Sequence, residues 1–140
     1  MAGTYKCSIF NSEIIGAFSY TNDKFCFLPK NVDEKVKRIF SEALEVEVAE
    51  ITIAESPLIG IFLIATNNKA LVPWNITKEE IDTLKSYFDE VVIFNSKYNA
   101  IGNFVSFNSN GVLIHFNLNE EEIEQIKEVL NVNFYLHIFL

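Results

Sequence analysis

The sequence predicts an α+β fold made of about three β-β-α-β repeats in a single domain, curved into an arc or incomplete ring. Three observations lead there. Three glycines stand in one local context, EIIGAF around Gly16, PLIGIF around Gly60 and NAIGNF around Gly102, at separations of 44 and 42 residues. A fixed period of that size marks a repeat architecture. A polar turn follows each glycine in register, and an amphipathic helix pattern follows each turn.

The repeats run over approximately 5–53, 54–97 and 98–140. Each opens on an apolar, strand-like run holding its glycine. Glycine inside a strand loses entropy and packs no side chain, so it marks a bend or a close backbone approach. Gly16, Gly60 and Gly102 are therefore expected to be structural, at a ring centre or strand bend where a Cβ would collide. The turns are Thr21-Asn22-Asp23-Lys24, Thr66-Asn67-Asn68-Lys69 and Asn108-Ser109-Asn110-Gly111. Asn, Asp and Gly tolerate the left-handed backbone that tight hairpins use.

Short apolar strands come next: FCFLP at 25–29, ALVP at 70–73 and VLIHF at 112–116. Helices follow, with stripes at Val32, Val36, Ile39, Phe40 and Leu44, then Ile81, Leu84 and Phe88, then Ile123, Ile126, Val129 and Leu130, the i, i+3, i+4, i+7 spacing of one helix face. Thr77 three before Glu80, and Asn119 three before Glu122, predict capping boxes; the first helix has no equally clean signal. Each repeat ends on a β-prone run, at 46–53, 91–95 and 132–140. A single repeat has too little core to stand alone, so neighbours must cover its apolar faces.

Composition narrows the function. With 49% hydrophobic and 21% charged residues over 140 positions, the chain is expected to form one compact domain. Its longest wholly apolar run, Leu58 to Ala65, is too short to span a bilayer, and MAGTYKCSIF lacks the charged start and hydrophobic centre of a signal peptide. A cytoplasmic protein with no membrane association is expected. The net charge of −8 argues against indiscriminate binding to phosphate backbones and suits a basic protein partner, and no sequence-specific nucleic acid is expected. The densest acidic segment, Glu120, Glu121, Glu122, Glu124 and Glu128, reads as the solvated face of the third helix, with a dedicated contact site as the alternative. Cys7 and Cys26 stand in strand patterns without metal-ligand spacing, so they read as packing residues and no metal or cofactor is expected.

The IIGAF, LIGIF and AIGNF runs, the TNDKF and TNNKALVP hairpins, and above all NSKYNAIGNFVSFNSNGVLIH resemble the archaeal and eukaryotic translation initiation factor 6 family, over about residues 8–134. The resemblance implies a pentein (β/α propeller) fold, a pseudo-fivefold ring of such repeats. It also implies a ribosome anti-association factor that binds the large ribosomal subunit, chiefly through ribosomal protein uL14 beside the sarcin-ricin loop. Bound there, such a factor sterically keeps the small subunit away and performs no chemistry. It implies ribosome contacts at Asn103 and, on the same strand, Asn99. The alternative for Asn103 is a hydrogen bond across a bulge at Gly102.

The chain departs from the family in two ways. It carries three of five repeats, and its last residues, YLHIFL, do not resemble the start of a fourth, as a gene truncation or frameshift would produce. Phe116 also stands where the family usually has proline. An open arc exposes apolar faces at both ends, so self-association or a partner chain is expected to cover them. The alternative function is a truncated paralogue that no longer binds ribosomes and acts as an interaction module or has no function. Penteins also include hydrolases with a cysteine nucleophile, but Cys7, Cys26, His115 and His137 lack a recognisable activating arrangement, and the expectation is that the protein is not an enzyme.

Overall fold

The computed structural model describes residues 3–115, 117–133 and 135–138. Three similar units follow one another. Unit 1 holds α1 (Ile15–Phe18), β1 (Tyr20–Thr21), β2 (Phe25–Pro29), α2 (Glu34–Leu44) and β3 (Glu47–Ile51). Unit 2 holds α3 (Ile59–Phe62), β4 (Ile64–Ala65), β5 (Lys69–Pro73), α4 (Lys78–Leu84) and β6 (Glu90–Phe94). Unit 3 holds a 3-10 turn (Ile101–Asn103), β7 (Val105–Phe107), β8 (Val112–His115), α5 (Glu120–Leu130) and β9 (Tyr135–Ile138). The protein is thus a mixed α+β structure.

Each unit has its own three-stranded sheet, in the orders β1-β2-β3, β4-β5-β6 and β7-β8-β9. The first two strands of each pair antiparallel across a hairpin, and the third pairs parallel with the middle one. Parallel pairing needs a crossover, which the helix between them supplies. Capping boxes start α4 at Thr77/Glu80 and α5 at Asn119/Glu122. At α2 only the Asp33 side chain caps, accepting from the Lys35 N–H. Helix α4 stops at Leu84, so Phe88 packs from beyond its end.

The glycine runs are not strands. Gly16 and Gly60 lie in single-turn helices and Gly102 in the 3-10 turn. The residue before each turn holds nearly one conformation, φ/ψ −84°/64° at Ile14, −83°/61° at Leu58 and −81°/58° at Ala100, that of an inverse γ-turn. Each of those carbonyls accepts from the amide three residues on: Ala17 at 3.2 Å, Ile61 at 3.1 Å and Asn103 at 3.0 Å. Asn99 therefore lies before a helical turn, not on a strand. Cys7 is likewise outside the strands, whereas Cys26 is buried in β2.

The hairpins also differ from expectation, because none of their residues has a positive φ. Asn22, Thr66 and Asn108 instead fold their side chains back. Asn22 Oδ1 accepts from the N–H groups of Lys24 and Phe25 at 2.9 and 2.8 Å. Thr66 Oγ1 does so for Asn68 and Lys69 at 3.3 and 3.1 Å, and Asn108 Oδ1 for Asn110 and Gly111 at 2.8 and 3.1 Å. A side-chain acceptor mimics the missing backbone turn, so left-handed geometry is not required.

Units pack in sequence. One face of sheet 1, with Tyr20, Phe27 and Ala49 in register, lies in a core with Ile59, Leu63 and Leu84 of unit 2. Tyr87 closes it edge-on against Phe25 and Phe27, at ring distances of 5.0 and 5.4 Å. The same face of sheet 2, Ile64, Leu71 and Val92, lies in a second core with Ile101, Ile114 and Ile126 of unit 3. Hairpin 1 is stitched to hairpin 2. The Tyr20 hydroxyl donates to Ala65 O at 2.8 Å and accepts from Ala65 N at 2.9 Å, and Asp23 and Asn67 exchange hydrogen bonds of 3.0 and 2.8 Å.

Candidate functional site

The glycine turns stack backbone on backbone. A Cβ on Gly60 would lie 1.9 Å from Gly16 O, and one on Gly102 would lie 2.3 Å from Gly60 O, so neither position has room for a side chain. Gly16 differs, since a Cβ there would meet nothing within 4 Å.

The third sheet presents the face that its predecessors bury. Ser106, Leu113 and Leu136 pair in register as Ile64, Leu71 and Val92 do in unit 2. Leu71 is fully buried, whereas Leu113 and Leu136 are 41% and 49% exposed. Beside them Gly102, Asn103, Ser106, Leu113 and His115 line a shallow groove of about 200 Å³. Among the described residues this face has no covering element.

Asn103 is exposed on that rim. Its backbone N–H closes the turn onto Ala100 O, and its side chain makes no hydrogen bond among the described residues. Ala17 and Ile61 hold its place in the other units. Asn99 is half-buried and does not line the groove; its carbonyl accepts from the Ile101 N–H at 2.9 Å. The two asparagines lie on one segment, and of the two only Asn103 lines the groove. His115 is held at the groove, its backbone N–H donating to Phe104 O at 2.8 Å and its ring edge-on to Phe104.

The structure adds two carboxylates that belong to the interior. Glu122, expected on the solvated face, is only 5% exposed: it closes its capping box and accepts from the Ser96 hydroxyl at 2.5 Å. Glu120, Glu121, Glu124 and Glu128 are exposed. Glu80 is the counterpart in unit 2. It accepts from the Thr52 hydroxyl and from the N–H groups of Ala54, Glu55 and Thr77 at 2.6, 2.9, 2.7 and 3.0 Å. Burial raises its carboxyl pKa, but these four donors outweigh burial and hold it below the ordinary 4.5. The capping pattern in the sequence announces both residues at a helix start; their second partners, 25 to 28 residues earlier, it does not.

Cys7 and Cys26 are free thiols, and burial pushes the Cys26 thiol up, against a hydrogen bond to Thr21. Among the described residues no group of three or more His, Cys, Asp or Glu could hold a metal ion. No described helix is long and apolar enough to cross a membrane.

A model of the eIF-6 family matches residues 4–138. The chain is 41% identical over 95 residues to translation initiation factor 6 of Pyrobaculum arsenaticum, covering 68% of this chain and 43% of the relative. Against that of Pyrobaculum aerophilum it is 38% identical over the same extent, and against that of Saccharolobus solfataricus 34% over 129 residues, 91% of this chain and 58% of the relative. The chain thus spans about half the length of the curated relatives it matches.

Proposed function

The chain belongs to the eIF-6 family, and on that premise we propose that it binds the large ribosomal subunit and blocks joining of the small subunit by occupancy. Residues 1–140 act as one cytoplasmic domain, a pentein-type incomplete ring of three units, and the contact is protein to protein, with uL14 beside the sarcin-ricin loop. No bond is made or broken. The net charge of −8 favours a basic protein surface over the phosphate backbone.

The observation that carries this reading is Asn103: an exposed amide, free of hydrogen bonds among the described residues, at a position where the other units have Ala17 and Ile61. Such a group keeps its full hydrogen-bonding capacity for a partner. Asn99 is the second contact. Sedimentation of the purified protein with large ribosomal subunits tests the reading, beside Asn103→Ser and followed by a subunit-joining assay. Co-sedimentation that Asn103→Ser weakens supports it; free protein at the top of the gradient overturns it.

The uncovered face at Leu113 and Leu136 favours a second reading alongside the first, self-association through this face. A ribosome-free protein that is dimeric through this face would be a paralogue serving as an interaction module. Light scattering after size exclusion separates this from a 16.0 kDa monomer.

A further inference from the structure

Units 1 and 2 correspond at an offset of 44 residues, and a site that unit 2 fills from within is open in unit 1. In unit 2 the turn between the bridged residues Ile53 and Ser56 carries Ala54 and Glu55 at φ 54° and 58°. Consecutive left-handed residues bring their N–H groups together as an anion-binding nest, and the Glu80 carboxylate occupies it.

Unit 1 builds the same turn. Ile9 and Ser12 form the bridge, and Phe10 and Asn11 stand at φ 51° and 63°. Their N–H groups have no hydrogen-bond partner among the described residues. The position of Glu80 is taken by Val36, which has no acceptor. The surrounding charges are reversed as well: Glu50 and Glu79 correspond to Lys6 and Lys35, while Thr52, a donor to Glu80, corresponds to Ser8. The space beside Glu80, which Lys30 of unit 1 also lines, holds about 60 Å³, and its counterpart, an open cleft lined by Lys6, Ser8, Phe10, Asn11, Lys35 and Val36, holds about 480 Å³. Asp33 also lines it, but its carboxylate already accepts from the Lys35 N–H at 2.7 Å, and the two lysines outnumber it.

We propose that this cavity is a carboxylate site. It receives, from outside the unit, the group that Glu80 supplies to unit 2, with the Phe10 and Asn11 amides and the Ser8 hydroxyl as donors and Lys6 and Lys35 as counter-charges. The ligand is a carboxylate, carried by a small organic anion or by an Asp or Glu side chain of a partner protein.

The test is an amide-resolved NMR titration of the full chain at neutral pH, with sodium acetate in one arm and an end-blocked Glu-Gly hexapeptide in the other, each against sodium chloride at equal ionic strength. Saturable shifts at Phe10 and Asn11, with Ala54 and Glu55 unmoved because Glu80 fills their nest, are expected. Saturation at a lower concentration of peptide than of acetate identifies a partner's side chain, and the reverse identifies a small anion. Shifts no larger than with chloride, or spread over all lysine-bearing surface, overturn the proposal. Val36→Glu restores the internal carboxylate, and the expected result is loss of the acetate response with Phe10 and Asn11 shifted before any addition. A folded Val36→Glu protein that responds like the parent also overturns it.

Discussion

Gly60 meets Gly16 backbone to backbone: the Cα of one lies so close to the carbonyl oxygen of the other that a Cβ would sit 1.9 Å from it. Backbone atoms cannot swing aside as a side-chain end can, so Gly60→Ala is expected to cost about 3 kcal/mol or more, at or beyond the usual upper range for overpacking. Gly102→Val, against Gly60 O, is expected to cost at least as much. Gly16→Ala has open space before it and reduces the freedom of the unfolded chain, so it is expected to be neutral or stabilising by up to about 1 kcal/mol. Urea denaturation of the three variants checks the contrast; equal losses at Gly16 and Gly60 would contradict it.

Removing the Glu80 side chain strands the amides of Ala54, Glu55 and Thr77 together with the Thr52 hydroxyl. Glu80→Ala is expected to destabilise by about 3 kcal/mol, the scale of a charged hydrogen-bonded group lost from a buried site. Because the carboxyl pKa is lower folded than unfolded, its charge stabilises the protein above the ordinary value of 4.5, and that stability is lost as pH falls below 4.5 through the folded value. Glu80→Gln is expected to flatten this acid limb. Denaturation midpoints measured across that range decide the matter.

Asn103→Ser touches no intramolecular hydrogen bond of the side chain, so stability is expected to stay within about 0.5 kcal/mol of the parent. Ribosome co-sedimentation is expected to fall in the same variant. A thermal shift together with unchanged sedimentation would reverse the roles assigned to this residue.

Leu113 and Leu136 sit opposite each other on the uncovered face. Leu113→Lys is expected to lower the scattering-derived mass toward that of one chain and to reduce binding of a hydrophobic dye, since a charge there opposes burial. An unchanged mass would place any self-contact elsewhere.

Cys26 is completely buried and its thiol is pushed up by that burial, whereas Cys7 is partly exposed. Iodoacetamide at neutral pH is expected to modify Cys7 first and Cys26 only at the rate of unfolding, because the thiolate is the reactive form. Peptide mass mapping over time reads both.

Much of this architecture is legible in the residues themselves. The FCFLP strand coincides with β2, the Asn119/Glu122 pair marks the start of α5, and the stripe from Ile123 to Leu130 lies along it. The glycine runs are misleading because a four-residue apolar stretch is too short to carry a period, so strand and single-turn helix look alike. Asn22 and Asn108 are correctly turn residues for a different reason, a side-chain acceptor in place of a left-handed backbone. The interior roles of Glu80 and Glu122 depend on partners at least 25 residues away, which local patterns do not reach; the recurrence of a glutamate at the same capping position of successive repeats is the signal that links them. The open face is legible only once Leu113 is aligned with buried Leu71.

The pairing of each parallel strand within its own unit has a kinetic corollary. Phe25 meets Glu47, Lys69 meets Glu90 and Val112 meets Tyr135, so every sheet closes over a short stretch of chain, while contacts between units, such as Tyr20 with Ala65, close later over a longer one. Short loops close at lower entropic cost. A nascent chain can therefore complete each unit soon after its last strand emerges and use it as a template for the next. Throughout synthesis its growing end carries a hydrophobic front, which is at Phe27 after the first unit, moves to Leu71 when the second has docked, and stands at Leu113 after the third.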